Sequence, residues 1–542
     1  MTRQHPKLSA IIPNLIATAF FGLAVGSCAL VQPGQDNDGR PTINTTDGPI
    51  RGIVTKGVNT FLGIPYAAPP VGDLRWRPPA PAVRHALLDT VQFGNRCAQI
   101  ETFGVFATPS FEEDCLYLNV FAPGNITPED KRPVMVWIHG GGHFNGASDD
   151  YDASKLVKDG DTVVVTFNYR LNVFGFLAHP ALDAEGHPFA NYGILDQQAA
   201  LRWIRQNIRA FGGDPDNVTL FGESAGGQST MANMVSPAAR GLFHRAIVES
   251  GPLISPLVAG WNKDLPAAED FGRRFAAAVG CSDQSAQCLR SLSARDILTR
   301  ATAFQTNQHV VDGTVLPLSY ASAFPTGQFN RVPLVIGMNG DEWRWLRAQI
   351  ELGSGRSLTA TEYPAAIAAT FGAANAAKII ERYPLGAYES PSLALAAAET
   401  HGGFSCPIRQ MAQWVSRHVE HTYAYEFVDR TAPSYMTPVS FPYGAAHTFE
   451  IQYLFPLYRG ATGRPQPLNA AQTRLSDDIV SYWTTFARKG NPNSPKTPVW
   501  PRYTDEPARD NWQLLRLPTP VTTPPGTFAA EHHCDFWDTI RQ

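Results

Sequence analysis

The chain has 542 residues, 44% of them hydrophobic and 17% charged, with a formal net charge of −4. That length allows one large α/β domain or two or three smaller ones. No basic excess exists to neutralise phosphates, which argues against nucleic acid as a partner. The 45 glycines and 44 prolines are spread throughout, so many turns and long ordered loops are expected rather than a low-complexity tail.

The N-terminus stands apart. Arg3 and Lys7 precede an apolar stretch from about Leu8 to Val25, and the polar segment Gln32 to Arg40 follows it. This pattern reads as a secretory signal peptide. A retained membrane anchor is the competing reading, and Pro13 and Asn14 inside the stretch count against it. Val25-Gly26-Ser27-Cys28 resembles a bacterial lipobox, in which the cysteine becomes the lipidated first residue of the mature protein. Ordinary cleavage nearby, with Cys28 discarded or left free, is the alternative. The expected organisation is a signal peptide of lipoprotein type over residues 1–27, a linker over 28–40 and one domain over 41–542. The expected destination is the bacterial periplasm or outer membrane, otherwise the medium. Nothing later in the chain is apolar for long enough to span a bilayer.

Pro133-Val134-Met135-Val136-Trp137-Ile138 reads as a core strand and runs into His139-Gly140-Gly141-Gly142-His143. Glycines directly after a strand can turn backbone N–H groups toward a ligand without Cβ obstruction. A phosphate loop would need a following Lys-Ser/Thr and helix, which are absent. The next strand, Asn217–Phe221, leads into Gly222-Glu223-Ser224-Ala225-Gly226, with a helix-prone run from Gln228 to Met234 behind it. Strand, sharp turn and helix is the context that makes G-x-S-x-G a nucleophile elbow. The turn strains the backbone at the serine and calls for small flanking residues. A serine hydroxyl also needs a base, a carboxylate to orient that base, and donors for the oxyanion. Val332–Ile336 reads as a further strand, followed by Gly337-Met338-Asn339-Gly340-Asp341-Glu342.

These segments resemble the type-B carboxylesterases, the family of cholinesterases, liver carboxylesterases and bacterial para-nitrobenzyl esterases. Phe211-Gly212-Gly213-Asp214-Pro215, continuing through Phe221 to Gly227, matches the family's active-site signature, and Glu113 to Val120 matches its second one. Phe61 to Tyr66, Asn168-Tyr169-Arg170 and Ser481 to Asn493 match as well, so the similarity runs from about Thr42 to Trp537. The resemblance implies an α/β-hydrolase fold: a central, mostly parallel sheet flanked by helices, with long loop and helical insertions forming an active-site gorge.

It also implies the site. Ser224 would be the nucleophile, Glu342 the acid and His447, in Gly444-Ala445-Ala446-His447-Thr448-Phe449-Glu450, the base. Asp341 is the alternative carboxylate, expected otherwise to be a solvated loop residue. Gly141, Gly142 and Ala225 would supply the oxyanion hole. Thr448 stands where the family more often has glycine. Glu450 is expected to be structural. Glu223 either tunes the catalytic centre or is a turn carboxylate satisfied by backbone N–H groups. Ser250 matches a family serine that hydrogen-bonds beside the triad. His143 either lines the pocket or is solvated, and Phe404, Trp343 and Trp345 belong either to the pocket wall or to the core. Arg75 with Glu113, and Arg170 with Asp196, match buried ion pairs of the family.

Of the seven cysteines, the resemblance pairs Cys97 with Cys115 and Cys406 with Cys534. Cys281 and Cys288 are seven apart and can close a small loop, which leaves Cys28 for lipidation. The loop from Ala98 to Asp114 has no Trp, which argues against choline esters. The expected function is hydrolysis of small-molecule carboxylic esters, with no metal and no organic cofactor. A lipase for long-chain glycerides is the nearer alternative, and a non-catalytic cholinesterase-like binding protein the more distant one. The natural ester and the oligomeric state are left open, and membrane attachment would run through a lipidated Cys28.

Overall fold

The apolar run Arg132–Ile138 explains how the core is layered. Successive side chains of a strand point to opposite faces. Val134, Val136 and Ile138 pack into one buried cluster, while Met135 and Trp137 pack into another. A strand covered on both faces belongs to the middle of an α/β sheet.

In this computed structural model the described residues are 39–100, 104–106, 108–252, 262–300, 302–304 and 306–540. The expected signal peptide, most of the linker and Cys28 lie outside them. Among the described residues, eleven strands form the main sheet. In chain order they are β1 (Ile53–Thr55), β2 (Val58–Pro65), β3 (Tyr117–Pro123), β4 (Arg132–Ile138), β5 (Val163–Phe167) and β6 (Gly213–Glu223). β7 (Arg245–Glu249), β8 (Leu334–Asn339), β9 (Thr422–Phe427), β10 (Gln513–Leu515) and β11 (Val521–Thr522) complete it. The spatial order is β1-β2-β3-β5-β4-β6-β7-β8-β9-β10-β11. From β5 to β10 every neighbouring pair is parallel, and the pairs outside that block are antiparallel. This is the expected α/β-hydrolase architecture.

Helices cover both faces. α1 (Tyr192–Asn207) and α2 (Ala225–Val235) join the cluster of Val134, whereas the long α5 (Ala470–Lys489) joins that of Trp137. α5 starts with a reciprocal capping box between Asn469 and Gln472 and stops at Gly490, whose φ of 73° suits a residue without Cβ. Between α3 (Pro391–Thr400) and α4 (Cys406–Ser416) the helix widens into a π turn, His401–Ser405. Such turns recur at functional sites, and this one carries Phe404.

Register brings the functional loops together. Ile138 lies opposite Gly222, Glu223 opposite Glu249, and Glu249 opposite Gly337. The carboxyl ends of β4, β6, β7 and β8 are therefore side by side, where ligands of open parallel sheets bind. Disulfides join Cys97 to Cys115, Cys281 to Cys288 and Cys406 to Cys534. Arg75 pairs with Glu113, and Arg170 holds Asp196 through bonds of 2.8 and 2.7 Å in the core. No helix among the described residues is long and apolar enough to cross a membrane.

Candidate active site

β6 ends at Glu223 and α2 begins at Ala225, so Ser224 makes the whole turn at φ 56° and ψ −121°. A non-glycine residue in such a region costs about 1–3 kcal/mol and needs its surroundings to hold it there. Here its N–H donates to the Glu249 carbonyl at 2.8 Å, and its carbonyl accepts from Gln228 N–H at 2.9 Å. The small flanking residues have a more specific cause than strain at the serine. A Cβ on Gly222 would lie 2.6 Å from the Ile138 carbonyl oxygen, and one on Gly226 would lie 1.9 Å from it. The elbow packs directly on the end of β4.

His447 reaches the serine from a separate loop. Its Nε2 is 2.9 Å from Ser224 Oγ and its Nδ1 is 2.5 Å from Glu342 Oε2. Glu342 Oε1 accepts the Asn339 N–H at 2.8 Å, so both carboxyl oxygens are engaged. Asp341, one residue earlier, faces the other way. It accepts from Arg430 at 2.9 Å, Arg344 at 2.8 Å and the Ala445 N–H at 3.0 Å. It is neither solvated nor directed at His447; it ties the β8 loop to the His447 loop. Gly444 makes room for that tie, because a Cβ there would lie 2.5 Å from Asp341 Oδ2. Thr448 adopts φ 73°, a conformation natural to glycine, with its hydroxyl bonded to Tyr435 and to the His447 carbonyl.

The N–H groups of Gly141, Gly142 and Ala225 make no backbone hydrogen bond among the described residues. All three glycines of the loop and Ser224 line a cavity of about 260 Å³, together with Glu223, Glu342 and His447. Trp343, Trp345 and Phe404 are wall residues of this cavity, joined by Phe106, Phe144, Tyr151 and Tyr458. The disulfide loop that lacks Trp thus still contributes an aromatic ring, Phe106. Asn307, which also lines the cavity, carried no sequence signal; Asn339 sat inside a segment already singled out.

Two further expectations are corrected. His143 neither lines the cavity nor meets solvent: it is fully buried, with Nε2 2.9 Å from Ser229 Oγ. The pocket's aromatic wall is supplied from elsewhere, which leaves His143 to the core beneath the loop. Ser250 lines the cavity at φ 50°, but its buried hydroxyl has no hydrogen-bond partner among the described residues. Its N–H, donating to the Gly337 carbonyl at 2.8 Å, is what ties it to β8.

Four carboxyls, Glu223, Glu249, Glu342 and Glu450, are buried within reach of one another. Burial first, then Glu342 and Glu249, pushes Glu223 well above the usual carboxylate range. Glu450 is pushed the same way by burial and by the other three, against the Asn339 amide that donates to it. Burial lifts Glu249 to about 8, opposed by the Trp483 indole N–H at 2.8 Å. Glu223 is therefore not a turn carboxylate satisfied by backbone N–H groups. Its Oε1 stands 3.2 Å from His447 Nε2.

The carboxylesterase family model matches residues 39–537. Acylcarnitine hydrolase of Mus musculus is 36% identical, over 90% of each chain. Para-nitrobenzyl esterase of Bacillus subtilis (strain 168) is 35% identical, over 86% of this chain and 93% of the other. Among solved structures, a thermophilic PNB esterase superposes with a TM-score of 0.75 at 32% identity, covering 91% of this chain and 99% of that one. The chain belongs to the carboxylesterase family and is a serine hydrolase of carboxylic esters.

Proposed function

We propose that Ser224, His447 and Glu342 are nucleophile, general base and orienting acid in the hydrolysis of small soluble carboxylic esters. The observation that carries this reading is the unbroken relay from Ser224 Oγ through both nitrogens of His447 to Glu342, at 2.9 and 2.5 Å. His447 takes the serine proton as Oγ attacks the ester carbonyl, and Glu342 stabilises the imidazolium that forms. The N–H groups of Gly141, Gly142 and Ala225 receive the oxyanion, the loss of one such donor costing about 3–4 kcal/mol. The imidazolium protonates the departing alcohol, and water then releases the acid from the acyl-serine.

A chamber of about 260 Å³ walled by aromatic rings suits small acyl and alcohol groups better than long-chain glycerides. Ser224→Ala is the direct test: p-nitrophenyl ester hydrolysis should vanish while the circular dichroism spectrum stays native. Retained turnover would reject the triad.

Export is part of the same reading. Three disulfides fit an oxidising compartment. The leader 1–27 supplies the route, and Cys28, outside the described residues, is the lipidation candidate that would attach the enzyme to a membrane. Mass spectrometry of the mature N-terminus decides between a lipidated Cys28 and simple cleavage into the periplasm or medium.

A further inference from the structure

The loop after β4 turns through three successive residues of positive φ: Gly141 at 98°, Gly142 at 63° and His143 at 58°. The third is not glycine, and a left-handed histidine persists only where its neighbours hold it. Here they hold it through one ring nitrogen, its carbonyl and neighbouring rings, while Nδ1 has no hydrogen-bond partner among the described residues. Its Nε2 lies 2.9 Å from Ser229 Oγ in α2, and its carbonyl accepts the Asn172 N–H at 2.7 Å. The rings of Phe176 and His309 stand 5.0 and 4.8 Å away. Ser229 is itself held by Gln197 Nε2 at 2.9 Å, and Gln197 Oε1 by Asn233 Nδ2 at 2.9 Å. Asn307 Nδ2 donates to the Gly142 carbonyl at 3.0 Å.

Ser229 sits in the helix that opens with Ala225. One imidazole therefore links the segment of Gly141 and Gly142, which line the cavity, to the helix whose first residue is Ala225. We infer that His143 is a positioning residue that locks the Gly141–Gly142 loop to α2, fixing the distance between the two halves of the oxyanion site. This deepens the proposed function and rests on it. Burial drives the imidazole down to about 3, so the anchor is neutral at pH 7. Donors aimed at an oxyanion work only within a few tenths of an ångström of the right place. An anchor lost here acts on the transition state and leaves ester binding in the chamber in place.

The test measures His143→Phe, His143→Gln, Ser229→Ala and the Phe/Ala double variant against p-nitrophenyl butyrate and a trifluoromethyl ketone, whose serine adduct carries the oxyanion. In His143→Phe, kcat should fall about 10–100-fold with KM within about threefold, and ketone affinity should fall by the same factor. Ser229→Ala should match it, and the double variant should lose no more than either single one. His143→Gln, which keeps a polar group near the Nε2 position, should recover most of the loss. Unchanged kcat in the single variants, losses that multiply in the double one, or a kcat loss without loss of ketone affinity would each overturn the proposal. If His143→Phe does not fold, Ser229→Ala alone decides it by the same two readouts. Failure of the triad itself would show separately, as turnover by Ser224→Ala.

Discussion

Glu223 Oε1 lies 3.2 Å from His447 Nε2, the same nitrogen that stands 2.9 Å from the Ser224 hydroxyl. The imidazole thus has two oxygen neighbours at its working end. Burial first, then the neighbouring Glu342 and Glu249, pushes the Glu223 carboxyl well up, toward its neutral form. Glu223→Gln preserves both shape and neutrality. At pH 7 its kcat/KM for a neutral ester should change by less than about fivefold, or ~1 kcal/mol. A loss of a hundredfold at that pH would mean that the ionised carboxylate is the active form.

Glu342 and Asp341 are neighbours with opposite tasks, and their variants should separate cleanly. Glu342→Gln should lower kcat by about 10⁴, the size of the loss when a triad loses its orienting carboxylate. Asp341→Asn weakens the ties to Arg344, Arg430 and Ala445. It should lower unfolding stability by about 1–3 kcal/mol, with a much smaller fall in kcat. Steady-state kinetics and urea unfolding on both variants check this; equal kcat losses would contradict it.

Glu249 makes stability depend on pH. Its carboxyl titrates near 8 in the folded protein against an ordinary value of 4.5. Below the ordinary value both states are protonated and nothing is lost. Between the two values the unfolded chain gives up its proton while the folded chain keeps it, so stability falls as pH rises through that window. The deficit at pH 7 is about 3 kcal/mol. Glu249→Gln can still accept the Trp483 indole N–H, and it should flatten the decline in denaturation midpoint between pH 5 and 8. A slope identical to that of the parent protein would refute the assignment.

The disulfides should differ in weight. Cys406–Cys534 spans 128 residues and Cys281–Cys288 only 7. Restricting the unfolded chain predicts about 5 kcal/mol for the long bridge and about half that for the short one. Denaturant titration of the two double-alanine variants measures the ratio, and a larger loss from the short bridge would rule out chain entropy as the main cause.

The elements that carry the chemistry were readable because their residues are constrained locally. Gly-rich turns after apolar strands and the elbow pentapeptide announce themselves, and the strands Arg132–Ile138 and Gly213–Glu223 contain the runs expected for them. The assignments that went astray depend on what lies across space. A histidine after a glycine loop looks the same whether it faces a pocket or a helix, so His143 could not be placed without Ser229. The π turn at His401–Ser405 likewise has no sequence period of its own; within it Gly402 lies against the Trp537 ring, which a Cβ would approach to 2.7 Å. The wall residues Phe106, Tyr151 and Tyr458 come from distant segments and share no pattern.

The close seating of Gly226 on the Ile138 carbonyl has a mechanical consequence. With no gap between the elbow and the end of β4, the two cannot slide past each other. Any side chain at 226 would lift the elbow off the strand and carry Ser224 with it. His447, arriving on a separate loop, keeps its alignment through the ties of that loop to β8, the Ala445 N–H to Asp341 and its own bond to Glu342.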